Sequence, residues 1–394
     1  MTLFQDTGSD PRAAAAQLAD VLVFYGAIGD AACGNPPGFA LRKASLAVAL
    51  ARTAGLNPQD CDAIYFAGLM NAAGALGNTA FRKGERLSER SARMERWDVP
   101  ADGARACATI ATLPRATADM VRWQAECWDG TGYPDQLRWH GIPDAAQFLA
   151  IADAFLRCSD PEEALGVIAQ QSGRAFAPHA VTILTMWFHL NAGEAQPVTL
   201  PVDALESGAG DAEALLEAIA DRVDAHNGVE GRWRRVARLS DATAAALALG
   251  PDERKQLAVA TRLFGAGEIT ADIAEDFQFD PLARFGNLNR ARNAKSAAVF
   301  IDGNATLSSA AETLRARSEW YDGTGKPNGL DRSSIPRSAG ILAAAIALIA
   351  LDAKYRDQIQ NDRISPADRI DTASGTQFDP QIVRALLDAA KTHA

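Results

Sequence analysis

Histidine is scarce in this chain of 394 residues, which holds five: His140, His179, His189, His226 and His393. None of them pairs at helical ligand spacing within the motifs described below, which argues against a transition-metal centre built on imidazole. Cysteine is equally sparse: Cys33, Cys61, Cys107, Cys127 and Cys158 form no C-x-x-C pair. An odd count at wide spacing predicts reduced thiols and a cytoplasmic location rather than a disulfide frame or a zinc ribbon. A basic surplus is missing too. The formal net charge is −10, so no nucleic-acid partner is expected, because nothing is available to neutralise phosphates. The densest basic cluster, Arg232, Arg234 and Arg235, reads as a solvated helix face. The N-terminus carries Asp6, Asp10 and Asp20 and no basic segment, so no signal peptide is expected. The longest apolar run, Ala339 to Leu351, is too short to span a bilayer; it reads as a core helix, and no membrane partner is expected.

Hydrophobic residues make up 48% and charged residues 22%, a composition that can bury a core. The dominant pattern is an internal repeat. The segment WDGTGYPDQLRWHGIP begins at Trp128 and YDGTGKPNGLDRSSIP at Tyr321, an offset of 193 residues. The same offset places Leu56-Asn57-Pro58 on Leu249-Gly250-Pro251, Gly74 on Gly267 and Arg42 on Arg235. Downstream, SGRAFAP from Ser172 matches SGTQFDP from Ser374 at a larger offset, which implies an insertion around Asp352 to Ser365. The reading is a tandem duplication: an N-terminal helix over 1–29, copy one over 30–195, a Pro- and Gly-containing linker over 196–222, and copy two over 223–394. Ala47, Leu50, Ala51 and Ala54 recur at helical spacing. Asn57, Pro58 and Asp60 spell a helix start, echoed by Gly250, Pro251 and Glu253. Few stretches alternate as strands do. The predicted class is all-α, two helical bundles in tandem, packed with pseudo-symmetry.

The repeated loop carries the chemistry. In Asp129-Gly130-Thr131-Gly132-Tyr133-Pro134 two glycines permit backbone angles other residues avoid, and a proline fixes the exit. The counterpart keeps Asp322, Gly323, Gly325 and Pro327, with Lys326 in place of the tyrosine. Together with Glu126, Trp128, Ile142-Pro143 and Ala152-Asp153, this string resembles the HD-GYP family, bacterial phosphodiesterases that cleave cyclic di-GMP. The resemblance covers most of each copy. It implies a helical fold in which clustered His and Asp residues hold two or three iron- or manganese-like ions that generate a hydroxide.

Carried over residue by residue, that metal set is nearly gone. The first family histidine falls near Phe39 and Arg232. The His-Asp pair falls on Asn71-Ala72 and Phe264-Gly265, and the following lysine on Ala75 and Glu268. The middle histidine falls near Val99 and Arg292, and the paired histidines on Gln124-Ala125 and Arg317-Ser318. The late aspartate remains as Asp153 but is Ile346 in copy two. Copy one thus retains one ligand position of about six and copy two none. No metal or other cofactor and no catalytic residue are expected.

The retained Glu126, Glu319, Asp129 and Asp322 read as helix caps and braces of the loop. Asp153, in an apolar helix, is expected to accept hydrogen bonds from Gln124 or Asn71. Arg232, Arg292 and Arg317 all land where family histidines stood and could converge on an anion. The leading expectation is a catalytically degenerate regulatory or interaction protein in cyclic-dinucleotide signalling, with another signalling protein as partner. A metal-dependent phosphodiesterase for cyclic di-GMP and a non-hydrolysing sensor of that nucleotide or of an anion are the alternatives.

Overall fold

A computed structural model describes Leu3 and residues 10–76, 89–205, 211–269, 297–357 and 365–393. Arg292, one of the three arginines singled out from the sequence, lies outside these residues, as does part of the expected insertion. Among the described residues there are α-helices, short 3-10 turns and two isolated bridges, but no strands. The chain divides into two compact units, one over 7–215 and a second over 216–394 to which Leu3 also belongs.

The first unit contains α1 (Pro11–Cys33), α2 (Phe39–Thr53), α3 (Pro58–Leu69), α4 (Glu89–Ala108), α5 (Ala116–Trp123), α6 (Asp144–Arg157), α7 (Pro161–Gln170) and α8 (Pro178–Asn191). The helix starts follow the capping rules anticipated from the sequence. Asn57 Oδ1 accepts from the Asp60 N–H at 2.8 Å at the head of α3, and Asp160 does the same for α7 with Glu162 and Glu163. The core is formed by α2 packed between α3 and α6, with Ala47, Leu50 and Ala51 of the predicted stripe buried. Among the described helices, α1 is long and apolar enough to cross a membrane, and 56% of its apolar window is buried. In this unit Leu18, Leu22, Phe24, Tyr25 and Ile28 of α1 pack into the interior.

The second copy begins with α9 (Asp211–His226) and continues with α10 (Arg232–Ala246), α11 (Pro251–Leu263), α12 (Ala311–Ala316), α13 (Arg337–Asp357), α14 (Pro366–Thr372) and α15 (Pro380–His393). Helix α9 corrects the expected linker, because residues 211–222 are helical and form the counterpart of α1. Its alternating acidic and apolar residues hid it behind the neighbouring Gly208 and Gly210. The insertion is partly visible: α13 runs seven residues beyond the counterpart of the end of α6. Helix α13 is covered by α10, α11, α12, α14 and α15, with Ala339, Ile341, Leu342, Ala344, Ala345, Ala347, Leu348 and Leu351 all buried. At the head of α11 the predicted cap is only half made, since Gly250 has no side chain and Glu253 Oε2 alone accepts from its N–H at 3.4 Å.

Candidate functional site

The DGTG loop is built identically in the two copies. Asp129 Oδ1 accepts from the Thr131 N–H at 3.0 Å and its hydroxyl at 2.6 Å. Asp322 Oδ1 accepts from Thr324 in the same way, at 2.9 and 2.6 Å. Glu126 spreads its two carboxylate oxygens over the N–H groups of Asp135 and Leu137, at 2.7 and 3.1 Å. Glu319 does so for Asn328 and Leu330, at 2.6 and 3.0 Å. The Trp128 and Asp129 N–H groups donate to the carbonyls of Ala175 and Arg174, which ties the loop to the SGRAFAP segment. Tyr321 and Asp322 repeat this with Gln377 and Thr376. Gly130 and Gly323 adopt φ of 82° and 81°, which glycine reaches without strain. A side chain on Gly132 would put its Cβ 2.1 Å from the Cys127 nitrogen. Both X-Pro bonds, Tyr133-Pro134 and Lys326-Pro327, are cis. The carboxylates of this motif are therefore consumed by the loop's own backbone. Tyr133 is partly buried, and Lys326 in its place is exposed.

Of the ligand positions of copy one, Asn71, Gln124 and Asp153 are joined by hydrogen bonds, with Phe39 beside them. A cation fills their midst that the sequence reading overlooked. Lys43, on α2, is 3% exposed in its side chain. Its Nζ donates to Gln124 Oε1 at 2.8 Å and to Asp153 Oδ1 at 3.2 Å. Gln124 Nε2 donates onward to the Asn71 carbonyl at 3.2 Å. Asp153 is thus not served by Gln124 or Asn71, as anticipated, but by Lys43 and by Arg157, whose Nε donates to Oδ2 at 2.6 Å. The Arg157 guanidinium lies 5.1 Å from the centre of the Phe39 ring, in the range of a cation–π contact. Burial alone would raise the Asp153 pKa, but Lys43 and Arg157 overcome it and hold the carboxyl below its ordinary value. A signal for Lys43 was available. It falls on the buried stripe of α2 with Phe39, Leu46 and Leu50, where an unpaired lysine would not be tolerated.

Copy two reaches a similar charge balance from other positions. Arg232, at the head of α10, was read as part of a solvated face, yet its side chain is 13% exposed. Its Nη2 donates to Glu268 Oε2 at 2.7 Å, and its Nε lies 3.6 Å from Asp224 Oδ1. Burial opposes its charge, but Glu268 and Asp224 prevail and raise its pKa. Arg232 and Arg317 both approach the buried Phe264 ring, 4.9 and 5.9 Å from its centre. Two of the three arginines therefore share a neighbourhood. Asp224 also anchors α10, accepting from the Trp233 N–H at 2.7 Å, as Asp30 does for Ala40 at 2.8 Å in copy one. Burial raises the pKa of both aspartates despite these bonds. Arg234 pairs with Asp221 and lies on the Trp233 ring.

A metal does not fit either arrangement. Among the described residues, no group of three or more His, Cys, Asp or Glu side chains is placed to hold an ion. In copy one the lone carboxylate of the set already carries an ammonium and a guanidinium, and both would repel a metal cation. In copy two a guanidinium and a phenyl ring stand at ligand positions. His140 and His179 do sit close to one another's neighbourhood, edge-on to Trp128 at 5.3 and 5.8 Å. His179 is paired with Asp144 at 2.7 Å, and both side chains are exposed.

Comparison with known proteins agrees with this architecture. A family profile described as "HD domain" matches residues 29–176 and 214–382. No curated protein matches the sequence. Among solved structures, a cyclic GMP-AMP specific phosphodiesterase of V. cholerae is similar over 95% of this chain and 97% of its own, with a TM-score of 0.66 and 20% sequence identity. At that identity the likeness is one of fold.

Proposed function

The chain belongs to the HD domain family in tandem, and on that footing we propose that it is a catalytically inactive member that acts by binding in cyclic-dinucleotide signalling. The observation that carries this reading is Lys43, whose ammonium bonds both Gln124 and Asp153 at the centre of the copy-one cluster. A hydrolase of this kind needs a metal-generated hydroxide. The cluster offers an internal cation instead, and among the described residues around it no nucleophile with an adjacent base stands in its place. The signalling context is supported by the fold-level neighbour, a phosphodiesterase for cyclic GMP-AMP. Another signalling protein is the partner that a binding role calls for. The test is hydrolysis: the full chain, supplied with manganese or ferrous iron, should leave cyclic GMP-AMP and cyclic di-GMP uncleaved. Turnover abolished by Asp153→Ala would refute the proposal.

A second reading, a non-hydrolysing sensor of an anion, is favoured by one observation in copy two, the buried and unbonded Nε of Arg317.

A further inference from the structure

Arg317 follows α12 at the position Gln124 holds in copy one. The two residues treat their surroundings in opposite ways. Gln124 is saturated: it accepts from Lys43 and donates to the carbonyls of Asn71 and Val121. Arg317 presents the five donors of a guanidinium and, among the described residues, has neither a hydrogen bond nor a carboxylate within ion-pair distance. Its Nε is buried with no acceptor, while the residue as a whole keeps partial exposure. Among the described residues its guanidinium approaches the Phe264 ring, 5.9 Å from the centre. The nearby carboxylates are already engaged, because Glu268 and Asp224 both pair with Arg232. Burial, against the attraction of Glu268 and with repulsion from Arg232, lowers the Arg317 pKa to about 10, so the group is still a cation at neutral pH.

A desolvated guanidinium with no acceptor is costly unless an anion completes it. An arginine fork is suited to two oxygens of one phosphoryl group. We infer that Arg317, beside Arg232 on the Phe264 ring, is the anchor of an oxyanion site in copy two that takes a single phosphate group. This deepens the binding reading given above and rests on it. The phosphate could be free or part of a nucleotide, and these share one chemistry at the guanidinium.

The experiment is titration calorimetry on the full chain with inorganic phosphate at constant ionic strength, chloride being the control. It is repeated with a nucleoside 5′-monophosphate and with cyclic GMP-AMP. The expected result is saturable binding at one site per chain, weakened about tenfold or more in Arg317→Gln, as befits loss of a charge-assisted bond, and unchanged in Arg384→Gln. Tighter binding of either nucleotide with the same Arg317 dependence would identify the nucleotide as the source; equal binding would identify free phosphate. Arg317→Lys, which keeps the charge but not the fork, should bind with intermediate affinity and guards against misfolding of the glutamine variant. Absence of saturable phosphate binding in the unaltered chain, or binding undiminished in Arg317→Gln, would overturn the site. Neither outcome bears on whether the chain hydrolyses cyclic dinucleotides, so the two proposals fail separately.

Discussion

Lys43 and Asp153 define the copy-one cluster at the level of single residues. Breaking a buried ion pair by removing one partner leaves the other uncompensated, and typically costs about 3–5 kcal/mol. Lys43→Met should therefore destabilise the chain by roughly 3 kcal/mol in denaturant unfolding, the lower end because the Asp153 side chain is 26% exposed and keeps Arg157. Adding Asp153→Leu to Lys43→Met should restore most of that loss; a double variant as unstable as the single one would show that lysine packing, not charge, is at stake. The pair also fixes a pH dependence. The Asp153 pKa is depressed in the fold. Its contribution is thus present above the unfolded value of about 3.9 and is lost as pH falls through the folded value. The stability gap between the unaltered chain and Lys43→Met should accordingly hold from pH 7 to about pH 4 and shrink as unfolding is followed below about pH 4, towards the depressed folded value. A gap that stays constant below about pH 4 would contradict the assignment.

At the scale of elements, the DGTG loop is the feature that both copies preserve in full. Gly132 allows the chain to lie against its own backbone at Cys127 and Glu126. Gly132→Ala should cost about 1–3 kcal/mol, the range of overpacking where neither side can move, and Gly325→Ala should do the same in copy two. Equal thermal stability of both variants with the unaltered chain would count against this close approach. These loops, the helical class and the repeat were legible in the sequence, because each rests on local grammar: turn glycines, caps and one fixed offset. What could not be read were contacts made across the fold. Lys43 lies 81 residues from Gln124 and 110 from Asp153, so its place on the buried stripe of α2 shows that it needs a partner but not which residues supply one. Arg232 appeared solvated because Arg234 and Arg235 flank it, although the helix turns it towards Glu268 and Phe264. Helix α9 was missed because its polar face and the adjacent glycines looked like a linker.

Across the whole molecule, the two copies show one solution reached twice from different residues. Copy one balances Asp30 and Asp153 against Lys43 and Arg157; copy two balances Asp224 and Glu268 against Arg232 and leaves Arg317 without a carboxylate at ion-pair distance among the described residues. Of the four members of the first set, only Asp30 has an acidic or basic counterpart in the second, Asp224; Lys43, Asp153 and Arg157 correspond to Val236, Ile346 and Ala350. Internal cations thus stand where the resemblance to metal-dependent phosphodiesterases calls for metal ions. The most direct test is the metal content of the full chain, measured by elemental analysis after incubation with manganese or ferrous iron and removal of the excess. The account predicts far less than one ion per chain. One or more tightly held ions per chain, lost on Asp153→Ala, would contradict it.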